Sequence, residues 1–259
     1  MDIVANLSML FTELPLLKRV RAAAAAGFSA VEIQFPYQVP AIQLKEELER
    51  CAMPLVLINL PAGDLMQGGD GLACHPKRNQ QFTGALDEAL SYASMVRPRM
   101  VNVLAGRLPE GVSRARALAT LAANLRDAAQ AFNRLRIKVV CEAINPIDMP
   151  GFLINTPQDL QALLAEVRHS NCFAQLDVYH MARQGISTAQ ALAVLGDAVA
   201  HVQFADYPGR AEPGTGELDF KAMVNALQQA DYQGALAAEY KPSVATEDSL
   251  AWMQSAPFV

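Results

Sequence analysis

Four residues of this chain combine oxygen-donor chemistry with regular spacing: Glu142, Asp177, Gln203 and Glu239. Each stands near the end of a short apolar run that reads as a β-strand, in KVVCEAIN, CFAQLDVYH, VAHVQFAD and GALAAEYKP. Three carboxylates and an amide oxygen are hard donors that suit Mg²⁺ or Mn²⁺, whereas a histidine in place of Gln203 would favour Zn²⁺ or Mn²⁺. Glu142 follows Lys-Val-Val-Cys and Glu239 follows Ala-Leu-Ala-Ala, so each carboxylate interrupts a run that expects burial. Burying a carboxylate is costly unless a cation or hydrogen bonds compensate it. For either glutamate alone, pairing with a neighbouring Lys or Arg is the plain alternative. Taken together, the quartet points to a metal-dependent enzyme.

Spacing says what must position these groups. Successive members lie 35, 26 and 36 residues apart. That is roughly the length of a strand, loop and helix in a (β/α)₈ barrel, where about 250 residues make eight units. Eight candidate strands begin at Ile3, Ala30, Leu55, Met100, Lys138, Cys172, Val199 and Ala235. Helical stretches alternate with them, including PLLKRVRAAAAAGF, AIQLKEELERCA, QQFTGALDEALSYASMV and SRARALATLAANLRDAAQAFNRL. Such alternation predicts parallel βαβ units with strands buried on both faces. Gly27 fits the position just past the first helix, Ser113, Thr156 and Asp219 fit N-caps, and Pro157 fits a first helical position. No linker divides residues 1–259, which predicts a single α/β TIM-barrel domain. A doubly wound sheet is disfavoured because no G-x-G-x-x-G follows the first strand. Longer loops at 61–76, 145–155 and 206–217 would rise from the catalytic face.

Further polar residues cluster at these strand ends. His180 follows Asp177 by three residues and could polarise a substrate oxygen, or be an ordinary loop histidine. His201 shares a strand face with Gln203 and could support it or sit in the core. Arg210 and Lys241 are the best cations for an anionic substrate, with a solvated role equally open for each, and Asn59 is a candidate substrate contact. The Glu212–Glu217 segment, EPGTGE, reads as a tight, shaped loop.

Composition narrows the class. The net charge is −5, with no Lys/Arg stripe, which argues against nucleic-acid binding. No apolar run approaches the ~18 residues of a membrane span, and MDIVANLSML lacks the basic start of a signal peptide, so a cytoplasmic protein is expected. Cys51, Cys74, Cys141 and Cys172 show no metal-binding spacing. Cys141 and Cys172 fit buried thiols of a reducing compartment. Nothing specifies an oligomeric state.

Seven segments together carry a family resemblance: ANLSMLF at 5–11, NLPAGD at 59–64, EAINPIDMPGF at 142–152, LDVYHMAR at 176–183, HVQFAD at 201–206, EPGTGE at 212–217 and EYKP at 239–242. With these, the chain resembles the hydroxypyruvate isomerases and related 2-oxo-tetronate isomerases, of the xylose-isomerase-like TIM barrels, over essentially its whole length. The resemblance implies that Glu142 and Glu239 are the acid–base pair on opposite sides of the substrate carbon skeleton. It also implies that Glu142, Asp177, Gln203 and Glu239 hold the metal, although related sugar epimerases place histidine where Gln203 stands. The implied reaction converts hydroxypyruvate to tartronate semialdehyde, or 2-oxo-tetronate to 3-oxo-tetronate, through a metal-stabilised enediolate. His180 would then steady a substrate oxygen, and Arg210 or Lys241 would hold the carboxylate of a small sugar acid. Ketose 3-epimerisation uses the same groups, and a non-catalytic sugar-acid-binding barrel would keep the pocket without turnover. A relative that repairs abasic DNA needs several more histidine ligands than His75, His169, His180 and His201 supply.

Overall fold

Eight short strands close into one parallel barrel in the computed structural model, which describes residues 2–258. The order is β1 (Ile3–Asn6), α1 (Leu16–Ala25), β2 (Ala30–Ile33), α2 (Ala41–Arg50), β3 (Leu55–Asn59), α3 (Asn79–Val96), β4 (Met100–Asn102) and α4 (Arg114–Asn133). It continues with β5 (Lys138–Glu142), α5 (Pro157–Val167), β6 (Cys172–Asp177), α6 (Val178–Ala182), α7 (Thr188–Leu195), β7 (Val199–Phe204), α8 (Phe220–Gln229) and β8 (Leu236–Ala238). The ring closes through β1 and β8, with Ile3 opposite Leu236. The expected (β/α)₈ barrel is what forms, and only the last strand begins one residue later than expected.

Local chemistry explains the boundaries. Ser113 caps α4 by accepting from the Arg116 N–H. Thr156 and Asp159 form a reciprocal capping box with Pro157 at the first helical position of α5. Asp219 caps α8, accepting from the Ala222 N–H. Gly27, just past α1, takes φ +90°, a conformation that suits a residue without Cβ.

The apolar core lies in two shells. The larger packs helices against the outside of the barrel, and the smaller fills the barrel's lower interior with Val4, Ala30, Leu57, Met100, Val140 and Ala237. Among the described residues all four cysteines are free, and no helix is long and apolar enough to cross a membrane. Cys141 is buried as expected, but Cys172 is only partly so, because it opens β6 where the strand enters the barrel.

Candidate active site

Strand alternation builds the site. Side chains two residues apart share a face. The inward apolar Val140, Met100 and Ala237 are therefore followed, one step higher, by Glu142, Asn102 and Glu239. On β6 the step runs Phe173, Gln175, Asp177, and on β7 His201 leads to Gln203. The result is an apolar lower barrel capped by a buried polar layer. A pocket of about 480 Å³, its open mouth included, lies over this layer. Asn59, Asn102, Glu142, Gln175, Gln203, Arg210 and Glu239 line it, with Phe35, Leu104 and Ile144 as apolar wall and Met66 and Met149 also facing it.

Both expected acid–base residues face this pocket and are nearly fully buried. Glu142 accepts from the Asn102 amide at 2.7 Å. Burial, joined by the Asp177 charge, pushes its carboxyl up to about 7, against the opposing pull of Asn102, Arg210 and Gln175. Glu239, just past the end of β8, accepts from the Gln34 amide at 2.6 Å and lies 3.3 Å from Arg210 Nη2. Burial holds its carboxyl well above the usual range; Arg210 opposes this, and the charges of Asp177, Glu32 and Glu142 add to it. At neutral pH this pair can therefore hold as well as accept protons.

Asp177 and His180 sit behind this wall. Asp177 ends β6 and caps α6, accepting from the Tyr179 N–H at 2.9 Å. His180 lies in α6, on a short helix and not in a loop, with Nε2 3.5 Å from Asp177 Oδ2. Burial lowers its pKa, with Asp177 opposing, so the ring is neutral at neutral pH. Arg210 hangs from the β7 loop at φ +56°, its guanidinium reaching both Asp177 (3.5 Å) and Glu239 (3.3 Å) and lying 5.0 Å above the Tyr179 ring. Burial works against its charge, but Glu239, Asp177 and Glu142 together outweigh that and raise its pKa.

Gln203 is held at both ends. Its Nε2 donates to Glu32 Oε1 at 2.7 Å and its Oε1 accepts from Gln175 Nε2 at 2.6 Å. Asn59 lines the pocket. Lys241 does not: its side chain is exposed, and its contribution is a backbone N–H donated to the Arg210 carbonyl. The reason is that β8 ends at Ala238, so the two-residue alternation from Glu239 no longer governs position 241.

Several residues were not picked out in advance. Glu32, fully buried on β2, accepts from Asn6, His201 and Gln203 at 2.7–2.8 Å and anchors the layer beneath the pocket. Asn102, Gln175 and Gln34 each hold a site residue. Glu32 did carry a signal, since it breaks the apolar run AVEIQFP as Glu142 breaks its own. The three amides carried none beyond being polar on a strand.

The donor set fits a divalent cation. Glu142, Asp177 and His180 each offer an atom within 4.8 Å of the others, and Glu239 crowds the same Arg210. One guanidinium faces three buried carboxylates, an imbalance that a cation relieves.

Comparison with known proteins agrees with the geometry. A family model described as "Xylose isomerase-like TIM barrel" matches residues 20–256. The chain belongs to this family. It is 38% identical to the hydroxypyruvate isomerase of Escherichia coli over 249 residues, covering 96% of each chain. It is 37% identical to the 2-oxo-tetronate isomerase of Cupriavidus necator, again covering 96% of each. A crystal structure titled as an AP endonuclease, family 2, from Brucella melitensis superposes with a TM-score of 0.93 at 35% identity, covering 98% of both chains. With curated relatives named as isomerases at this identity over nearly full length, this member of the xylose isomerase-like family is an isomerase-type enzyme.

Proposed function

We propose that this enzyme interconverts small hydroxy-oxo acids, hydroxypyruvate with tartronate semialdehyde or 2-oxo-tetronate with 3-oxo-tetronate, by proton transfer between adjacent carbons. The observation that supports this most is the pairing of Glu142 and Glu239 in one pocket, each with its proton affinity raised by burial. The names of the curated relatives supply the substrate class.

In the forward direction one glutamate removes the C–H proton of the carbinol carbon, and the former carbonyl carbon gains a proton from that glutamate or the other. The hydroxyl proton passes to the former carbonyl oxygen, so the reaction is redox-neutral overall and proceeds through an enediolate. Glu142, Asp177, Gln203 and Glu239 would hold a divalent cation, Mg²⁺ or Mn²⁺, which when bound supplies positive charge where the oxyanion develops. Arg210, already beside Glu239, is the group placed to hold the substrate carboxylate, with a fork that matches two oxygens. The buried oxygens Asn102 Oδ1 and Gln175 Oε1 have no partner among the described residues, and substrate hydroxyls would satisfy them.

The same groups would serve ketose 3-epimerisation, so the substrate decides between the two. Purified protein supplied with Mg²⁺ or Mn²⁺ is offered hydroxypyruvate, 2-oxo-tetronate and D-fructose, and products are read by proton NMR. Turnover of an oxo acid with none of the ketose is expected; the reverse rejects the reading. Glu142→Gln and Glu239→Gln should each lower turnover by about 10²–10⁴-fold, the usual worth of a positioned acid or base, in a protein that keeps its fold. Near-native turnover in either variant removes that residue from the mechanism. A nucleic-acid role finds little support in the net charge of −5.

A further inference from the structure

Asn145 sits at the start of the β5 loop, fully buried, with every polar atom of its side chain engaged. Its Oδ1 accepts from two backbone N–H groups, Ile147 at 3.1 Å and Asp148 at 2.8 Å. Its Nδ2 faces Asp148 Oδ2 at 3.1 Å and His180 Nδ1 at 2.7 Å. Turning the amide over would set an NH₂ against two N–H donors and a carbonyl against a carboxylate, so its orientation is over-determined. Asp148 is itself fixed as a carboxylate: burial opposes its charge, but Asn145, the Tyr179 hydroxyl at 2.7 Å and Arg183 at 3.1 Å hold its pKa low.

An NH₂ donor at Nδ1 requires a lone pair there. We propose that Asn145 locks His180 in the tautomer that carries its proton on Nε2, making His180 a hydrogen-bond donor towards the Asp177–Glu142 side of the site and not a ligand of the cation. Although Glu142, Asp177 and His180 are close enough to share an ion, the ring nitrogen facing Asp177 then has no free lone pair. The cation falls to the carboxylates and Gln203, while the Nε2–H is directed at the Asp177 carboxylate and holds it in place. Asn145 is thus a positioning residue. Its role in turnover rests on the proposed isomerisation, whereas the tautomer itself does not.

Nitrogen-15 NMR of the histidine-labelled, Mg²⁺-loaded protein at neutral pH reads the tautomer directly, and only four histidines need assigning. A bare Nδ1 and a protonated Nε2 on His180 are expected. A protonated Nδ1, a doubly protonated ring or a mixture of tautomers overturns the proposal. Asn145→Asp replaces the donor facing Nδ1 by an acceptor, so Nδ1 should become protonated and kcat should fall roughly 10²-fold, the usual loss when a group of the site is misplaced by about 1 Å, here Asp177 deprived of its Nε2–H partner. If Nδ1 stays bare in Asn145→Asp, Asn145 does not set the tautomer. Because the tautomer is read without substrate, absence of isomerase activity in a protein showing the expected spectrum would count against the proposed reaction alone.

Discussion

Glu142 and Glu239 are buried to the same degree but compensated differently. Glu142 leans on neutral amides, whereas Glu239 shares Arg210 with Asp177. The difference is testable through Asn102, whose amide favours the ionised form of Glu142. Asn102→Leu removes that bond, so the Glu142 pKa should move further up, and the acidic limb of the kcat/KM–pH profile should shift to higher pH. A profile that stays in place or moves to lower pH would show that Glu142 does not set that limb. At this scale the sequence revealed the charged residues better than their supports. A glutamate inside an apolar run announces its own burial, but Gln34, Asn102 and Gln175 announce nothing, since an amide on a strand is ordinary until its partner across the barrel is known. Lys241 stands two residues past Glu239 yet lies outside the pocket wall, because that parity ceases to matter once the chain leaves β8.

The elements were legible because their punctuation is chemical. Strand starts, the Thr156–Pro157 entry to α5 and the Asp219 cap all follow from residue type. What a sequence does not disclose is how a loop without periodicity holds its shape, and the β7 loop is the instructive case. The Asp206 carboxylate accepts from four backbone N–H groups: Tyr207 and Leu218 at Oδ1, Gly214 and Gly216 at Oδ2. This clamp gathers the segment that carries Arg210. A Cβ on Gly216 would lie 2.1 Å from the Tyr207 carbonyl oxygen, so only glycine fits there. Asp206→Asn sets an NH₂ against one of the two N–H pairs, and Gly216→Ala forces the loop outward. Each should displace Arg210 and lower kcat/KM by roughly 10²-fold, in line with the cost of misplacing a binding group by about 1 Å. Steady-state kinetics with a far-UV spectrum as control decides; a variant with native kinetics would show that the clamp is not what positions Arg210.

Across the whole molecule, the same carboxylates couple the site to folding stability. Glu142 and Glu239 bind protons more tightly folded than an exposed glutamate does unfolded. For a carboxylate with a raised folded-state pKa, the penalty of ionisation is fully present above that pKa and vanishes as pH falls towards the unfolded value. Protein stripped of divalent metal should therefore gain thermal stability as pH is lowered from about 8 towards about 6.5, a window set above by the Glu142 value near 7 and below by the ordinary histidine value, under which buried His180 opposes protonation. Below that window the gain is opposed first by His180, whose buried ring resists protonation, and then by Glu47, Asp64, Asp148 and Glu212, which are held low in the folded state and lose their contribution once protonated. Mg²⁺ or Mn²⁺ competes with those protons, so the metal should stabilise most at the alkaline end and flatten the slope. At a hundred times its Kd a ligand of the native state contributes about 2.7 kcal/mol, or a rise in Tm of roughly 5–10 °C for a chain of this size. Melting curves across this pH range, with and without Mg²⁺, measure both effects. In Glu142→Gln the slope without metal should become shallower, since of the two raised carboxylates only Glu239 remains. A slope unchanged by that substitution, or a melting temperature indifferent to both metals at pH 8, would show that the buried carboxylates are balanced from within the protein and that no cation completes them.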